Sequence, residues 1–188
     1  MAAQRAEWQV VRTGLDPRRL VFLDETFGTT AMTRLYGWGP VGDRVVGRVP
    51  HGHWKTTTFL CGLRLTGLIA PMVIDGALTG PHFEAYLRQI LLPALRPGDI
   101  VVMDNLRTHH LACVAPLLAT RDARALYLPP YSPDLNPIEP AFGQVKAILR
   151  RRQLRTVDEL WAAFGESLDW VTPDQAANYF RHMGYLPE

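Results

Sequence analysis

Four consecutive apolar residues, Ile100-Val101-Val102-Met103, end abruptly at Asp104-Asn105. A run without alternation reads as a strand covered on both faces, as in the interior of an α/β sheet. A carboxylate at the end of such a strand needs a partner, because burying its charge is costly. Open α/β sheets place their chemistry there, outside the carboxyl ends of the strands. The same arrangement occurs upstream, where Leu20-Val21-Phe22-Leu23 runs into Asp24. If the two strands are parallel neighbours, Asp24 and Asp104 face each other across one crevice.

The remaining pattern surrounds these strands with a mixed sheet. Residues 1–19 read as a polar, irregular arm or linker remnant. Residues 34–54 are rich in glycine and carry Tyr36, Trp38, Arg44 and Arg48, which suits a long loop or ribbon. Gly37-Trp38-Gly39-Pro40-Val41-Gly42 matches the dinucleotide fingerprint in letters only: Pro40 interrupts it and no helix pattern follows. Residues 56–65 alternate, Thr66-Gly67 supplies a turn, and residues 68–74 run back as an antiparallel hairpin. Thr79-Gly80-Pro81 opens a helix with the stripe Phe83, Tyr86, Leu87, Ile90, Leu91 and Ala94, which Pro93 bends or ends. A helix over 109–119, a strand at 125–128 and a proline-stiffened loop lead into a helix whose core face carries Phe142, Val145, Ile148 and Leu149. Thr156 with Glu159, and Thr172 with Gln175, are capping-box signals for two more helices within 153–188. The expected fold class is α/β, with the first three strands antiparallel, later ones parallel, and helices on both faces.

Composition narrows the function classes. The 188 residues suffice for one core, and no run of 18 apolar residues marks a membrane span. The first residues lack the apolar centre of a signal peptide, so a cytoplasmic protein is expected. Cys61 and Cys113 are too few for a disulfide framework. A net charge of +2 does not announce a nucleic-acid partner, but its distribution is uneven. Lys146, Arg150, Arg151, Arg152 and Arg155 form one cluster; Arg5, Arg12, Arg18 and Arg19 form another. Each reads equally as a solvated face or as a phosphate-contacting one. The excess of arginine over lysine, which is found only at 55 and 146, fits a GC-rich genome as well as it fits phosphate binding.

Two strand-end aspartates joined by a third carboxylate make a cluster of hard oxygen donors. Mg²⁺ favours such donors, and two such ions activate a nucleophile and stabilise a leaving oxygen in phosphodiester chemistry. Glu25 is expected to point away from Asp24, and Asp75, Asp99 and Asp134 read as turn carboxylates. His51 and His53 read as solvated or DNA-facing rather than as a metal pair. His109 and His110 come close enough in sequence to approach the site without being catalytic. Asn136-Pro137-Ile138-Glu139 also reads as a helix start, with Asn136 as N-cap and Glu139 at the capping-box position.

Leu23-Asp24-Glu25, Val102-Met103-Asp104-Asn105 with His109, and the segment from Leu128-Pro129-Pro130-Tyr131 through Asn136-Pro137-Ile138-Glu139 together resemble the catalytic domain of a Tc/mariner-type DDE transposase of the bacterial insertion-sequence branch. The 34 residues between Asp104 and Glu139 suit that superfamily. The resemblance implies a ribonuclease-H-like catalytic domain over 20–152, with a clamp-like insertion at about 34–54 and a helical extension over 153–188. It further implies cut-and-paste transposition of an insertion sequence, with Asp24, Asp104 and Glu139 holding two Mg²⁺ ions, Mn²⁺ substituting. Arg44, Arg48, Lys55, Lys146, Arg150, Arg151 and Arg152 are the candidate DNA contacts. The implied partners are DNA, a second copy of the chain, and a companion N-terminal helix-turn-helix portion, for which residues 1–19 are too short. The alternative is a non-catalytic DNA-binding or scaffolding remnant.

Overall fold

A five-stranded sheet in the order β3-β2-β1-β4-β5 organises the computed structural model, which describes residues 2–187. The strands are β1 (Leu20–Thr29), β2 (Thr56–Arg64), β3 (Gly67–Asp75), β4 (Ile100–Met103) and β5 (Arg124–Tyr127). β1 pairs antiparallel with β2, and β2 with β3, while β4 runs parallel to β1 and to β5. This is the expected mixed sheet, with β1 at its centre.

Period-two geometry divides the core between two faces. Leu20, Phe22, Ile100 and Val102 pack on one side with α5 (Ile138–Arg152), α6 (Val157–Glu166) and α7 (Pro173–His182). Val21, Leu23, Val101 and Met103 pack on the other with Phe83, Tyr86 and Leu87 of the helical segment after β3, and with Val114 and Leu118. The C-terminal helices therefore complete the main core: Leu160, Phe164, Ala176 and Phe180 are buried against it. Both expected capping boxes, at Thr156 and at Thr172, are formed.

The helix after Thr79 ends around Pro93 as expected, though not as a single α-helix, and two other expectations are corrected. In that helix α2 (Gly80–Tyr86) widens into a π turn over Leu87–Leu91 before the short α3 (Leu92–Ala94), so Pro93 stands in the last turn. The helix expected over 109–119 begins later. Arg107–His110 is a 3₁₀ turn and α4 spans Val114–Ala119, which puts Pro116 in the first turn, where a missing N–H costs no intrahelical bond.

Residues 1–19 are not irregular: Ala2–Thr13 form α1. The segment has good helix formers but only one buried anchor, Trp8. Trp8 Nε1 donates to the Tyr185 hydroxyl (3.0 Å), which donates to the Leu135 carbonyl (2.7 Å). Arg12 donates to the Met183 carbonyl at 2.7 Å, and Arg5 donates to Ser132 Oγ at 2.8 Å and pairs with Asp134. The two ends of the chain thus meet over the turn that precedes α5. Tyr185→Phe leaves a buried indole N–H and a buried carbonyl unpaired, and is expected to lower stability by about 1–3 kcal/mol in urea unfolding; an unchanged midpoint would remove this link.

Candidate active site

Parallel pairing of β1 with β4 ends at Phe22 opposite Val102. Continued by two residues, the same register sets Asp24 beside Asp104. There β1 goes on as a strand paired only to β2, whereas the chain leaves β4 after Met103. The separation opens a cavity of about 400 Å³, lined by Asp24, Asp104 and Glu139 together with Asn105, Tyr131 and Asn136. The three expected carboxylates thus come from β1, the end of β4 and the first turn of α5 to one site.

Each carboxylate meets different surroundings. Asp24 is 9 % exposed; its Oδ1 accepts from the Glu25 N–H and its Oδ2 from Asn136 Nδ2, both at 2.8 Å. Burial, with the charges of Glu25 and Asp104 and a smaller effect from Glu139, raises its pKa to about 8, against which the Glu25 N–H acts. Asp104 is half exposed, and its Oδ1 accepts from the Leu106 N–H (2.9 Å) and faces His109 Nδ1 at 2.7 Å. Partial burial opposes its ionisation. The His109 hydrogen bond, the Leu106 N–H and the charges of His109 and His110 outweigh that and lower the pKa. Glu139 is exposed at the cavity mouth.

His109 is fully buried against Phe83 (ring centroids 4.8 Å apart). Its carbonyl accepts from the Tyr127 hydroxyl at 2.9 Å. On the same side of the sheet lies Glu25, pointing away from Asp24 as the strand period requires. Its Oε2 stands 3.3 Å from His109 Nε2, an ion-pair separation without hydrogen-bond alignment, so both atoms lack a hydrogen-bond partner. Burial works against the imidazolium, but the Asp104 and Glu25 carboxylates prevail and raise the His109 pKa to about 9.

Asn136 is the residue that sequence reasoning placed wrongly. It does not cap α5, whose N-cap position is Pro137 with no side-chain hydrogen bond, and Glu139 forms no capping box. Asn136 is 3 % exposed and serves Asp24 instead, with its own Oδ1 left unpartnered. Its position just before a proline suggested a helix start; the neighbouring strand that engages it lies 112 residues away.

The basic candidates separate. Lys146 lies over the Phe27 ring (4.7 Å); burial lowers its pKa while the charges of Glu139 and Asp24 oppose this, which sets it near the carboxylates. Arg150 and Arg151 line a second cavity of about 350 Å³ with Arg34 and Tyr36, so Arg34 joins the basic group unforeseen. Arg152 is engaged by Glu166 (2.6 Å) and Trp170 (4.7 Å). Arg44, Arg48 and Lys55 are exposed on the irregular segment between β1 and β2, as are His51 and His53. Asp99 is structural, buried in a pair with Arg64, and Asp134 pairs with Arg5.

A family model described as DDE superfamily endonuclease matches residues 19–161. The chain belongs to this family. No curated protein sequence matches it. Among solved structures, the Mos1 strand transfer complex superposes with a TM-score of 0.74 at 19 % identity, covering 98 % of this chain and 57 % of that one. The mariner Mos1 paired-end complex with Mg gives 0.74 at 18 % identity, covering 98 % and 58 %. The Mos1 transposase catalytic domain with raltegravir and Mn gives 0.70 at 17 % identity, covering 98 % and 87 %. The fold of this DDE-family chain is thus that of the ribonuclease-H-like catalytic domain, and the chain spans under two thirds of the longer Mos1 chains. No helix among the described residues is long and apolar enough to cross a membrane.

Among the described residues, no three His, Cys, Asp or Glu side chains form a ready-made cage for a metal ion. An oxygen-only set opening on a cavity nevertheless suits Mg²⁺, which keeps waters and takes one or two carboxylates plus substrate phosphates. The raised pKa of Asp24, due first to burial and then to the charges of Glu25 and Asp104, is one that a bound cation would lower. Without metal, the folded state holds a proton on Asp24 up to about pH 8 and on His109 up to about pH 9, whereas the unfolded values are 3.8 and 6.5. Both contributions are fully present below the unfolded values and lost as pH rises through the folded ones. In EDTA, Tm is expected to fall between pH 6 and 9, and Asp24→Asn to flatten the fall. An Asp24→Asn profile parallel to wild type would show that Asp24 is not the buried acid.

Proposed function

We propose that this chain is the catalytic portion of a DNA transposase, which cuts DNA strands and transfers them to a new site. The observation that carries the reading is the convergence of Asp24, Asp104 and Glu139, from three separate elements, on one cavity of a DDE-family endonuclease fold. Two divalent cations held by these carboxylates, Mg²⁺ with Mn²⁺ as substitute, would supply Lewis acidity and a metal-bound nucleophile. The chain's own residues set the stage for them. His109 holds Asp104 ionised and oriented, Asn136 and the Glu25 N–H fix both oxygens of Asp24, and α5 brings Glu139 to the opening.

DNA contact is assigned to Lys146, Arg150 and Arg151, which continue along α5 from Glu139, and to Arg44, Arg48 and Lys55 on the long insertion. Arg152, already paired, contributes less. The insertion exposes Tyr36, Trp38, Val41 and Val46 at 86 % or more, an apolar surface that supports its use as a clamp against a second copy in the active complex. Recognition of element ends is assigned to a companion helix-turn-helix portion, and the site of action to the bacterial nucleoid.

Glu139 makes no capping bond, so Glu139→Gln is expected to leave Tm nearly unchanged and to abolish nicking of supercoiled plasmid in Mg²⁺ or Mn²⁺. Asp104→Ala should likewise abolish nicking, with a lower Tm because it removes the hydrogen-bond partner of buried His109. Nicking at the wild-type rate by either variant sinks the assignment. A wild-type chain that binds DNA but never nicks it would instead be the non-catalytic remnant. Binding by this chain should be weak, indifferent to sequence and steeply salt-dependent, since arginine–phosphate contacts carry affinity without sequence information; tight selective binding at physiological salt would place end recognition within it.

A further inference from the structure

Four described residues other than glycine have left-handed backbone: Ala70, Asp122, Tyr131 and Gln153. Three have a local reason. Gln153 closes α5, Ala70 lies beside the irregular pairing near Leu60 and Gly62, and the Asp122 carbonyl takes the Gly98 N–H at 2.7 Å in a turn. Tyr131 (φ 55°) is different, because its aromatic side chain is 90 % exposed and lines the carboxylate cavity. A bulky residue in this conformation is strained, and strain of this kind persists only where its surroundings enforce it.

The surroundings do enforce it. Pro129-Pro130 precede Tyr131 and Pro133 follows shortly. Ser132 Oγ accepts from Arg5 (2.8 Å) and its carbonyl takes the Leu135 N–H (3.0 Å), while Asn105 Nδ2 donates to the Leu128 carbonyl on the other side. The loop backbone that carries the phenol ring is therefore constrained, while the ring itself stands in water with no apolar burial in return. Leu106, 40 % exposed, and Pro130 give the same cavity an apolar wall beside its acidic one. That combination suits a nucleotide, with its phosphate toward the carboxylates and their cations and its base toward the ring.

We propose that Tyr131 is a stacking platform for an unpaired nucleobase next to the phosphate that enters the carboxylate cavity. The assignment rests on the DNA reading above and deepens it. An aromatic face accepts any base, so the contact is tolerant of sequence. A backbone already fixed beside the cavity loses little freedom on binding, which is where pre-organised contacts gain affinity.

The test uses the full chain in Mg²⁺ with a short mixed-sequence single-stranded oligonucleotide carrying 5-iodouracil. Ultraviolet crosslinks are mapped by mass spectrometry, affinity is read by fluorescence anisotropy, and plasmid nicking is run in parallel. The crosslink is expected at Tyr131. Tyr131→Ala and Tyr131→Gly should weaken binding about tenfold, while Tyr131→Phe stays within about twofold. Tyr131→Gly should fold with Tm equal to or above wild type, because glycine relieves the left-handed strain, so its loss of binding cannot come from unfolding. If wild type binds and nicks DNA and Tyr131→Ala matches it in both, the stacking role alone falls. If wild type neither binds nor nicks, the DNA reading falls and the stacking role with it.

Discussion

The sheet carries a carboxylate, Asp24, on its central strand with only 9 % of its surface exposed, and most of the local architecture is a response to that. Burying an ionised carboxylate costs several kcal/mol unless hydrogen bonds or opposite charge offset it. Two hydrogen bonds are supplied, from Asn136 and from the Glu25 N–H, but the nearby charges of Glu25, Asp104 and Glu139 all act against ionisation. Asp104 escapes the same conflict because His109 faces it from the far side of the sheet. The acids are thereby made unequal: one is held ionised, and one holds a proton until positive charge arrives. Pairs of groups pushed apart in this way are a common mark of functional sites.

Glu139 depends on a different constraint. Its helix lacks a side-chain cap, so the entry of α5 is fixed from outside, by Leu135 bonded to Tyr185, Tyr185 to Trp8, and Ser132 to Arg5. Arg5, Trp8 and Tyr185 come from the two extremities of the described chain. The third carboxylate lining the cavity is thus placed by packing that closes last in sequence terms, a non-local arrangement that raises contact order and slows folding. It also explains why the C-terminal helices share the core of α5 instead of standing apart from it.

The central strands were legible because they are uninterrupted apolar runs, and the two aspartates because they end those runs at equivalent register. The hairpin and both capping boxes were legible because their signals lie within a few residues. What escaped was decided at long range. Among the described side chains of α1 only Trp8 is buried, and its partner Tyr185 is 177 positions away. His109 was seen to be near Asp104 in sequence, but its burial between Asp104 and Glu25 depends on the parallel pairing of β1 with β4. Asn136 obeyed a local rule for helix starts, and a nearby buried charge overrode it. Residues that break a local rule beside a functional site are where sequence reasoning is expected to fail.

The charge of the chain is unevenly distributed. A net charge of +2 gives little long-range attraction for DNA, and the cavity itself is acidic. On the proposed function, attraction for a phosphate backbone has to be local, and α5 offers the groups for it along one helix: Glu139 at the opening, Lys146 over Phe27 two turns on, then Arg150 and Arg151 beside Arg34. The lysine is close enough to feel the carboxylates, so a phosphate entering between them meets an ammonium on one side and, in the proposed reaction, metal ions on the other. Until the ions are present, the proton on Asp24 keeps the acidic wall from carrying its full negative charge. Cation and phosphate each relieve a repulsion that the other would face alone, so their binding is expected to be mutually reinforcing, as linkage requires of two ligands that favour the same charge state.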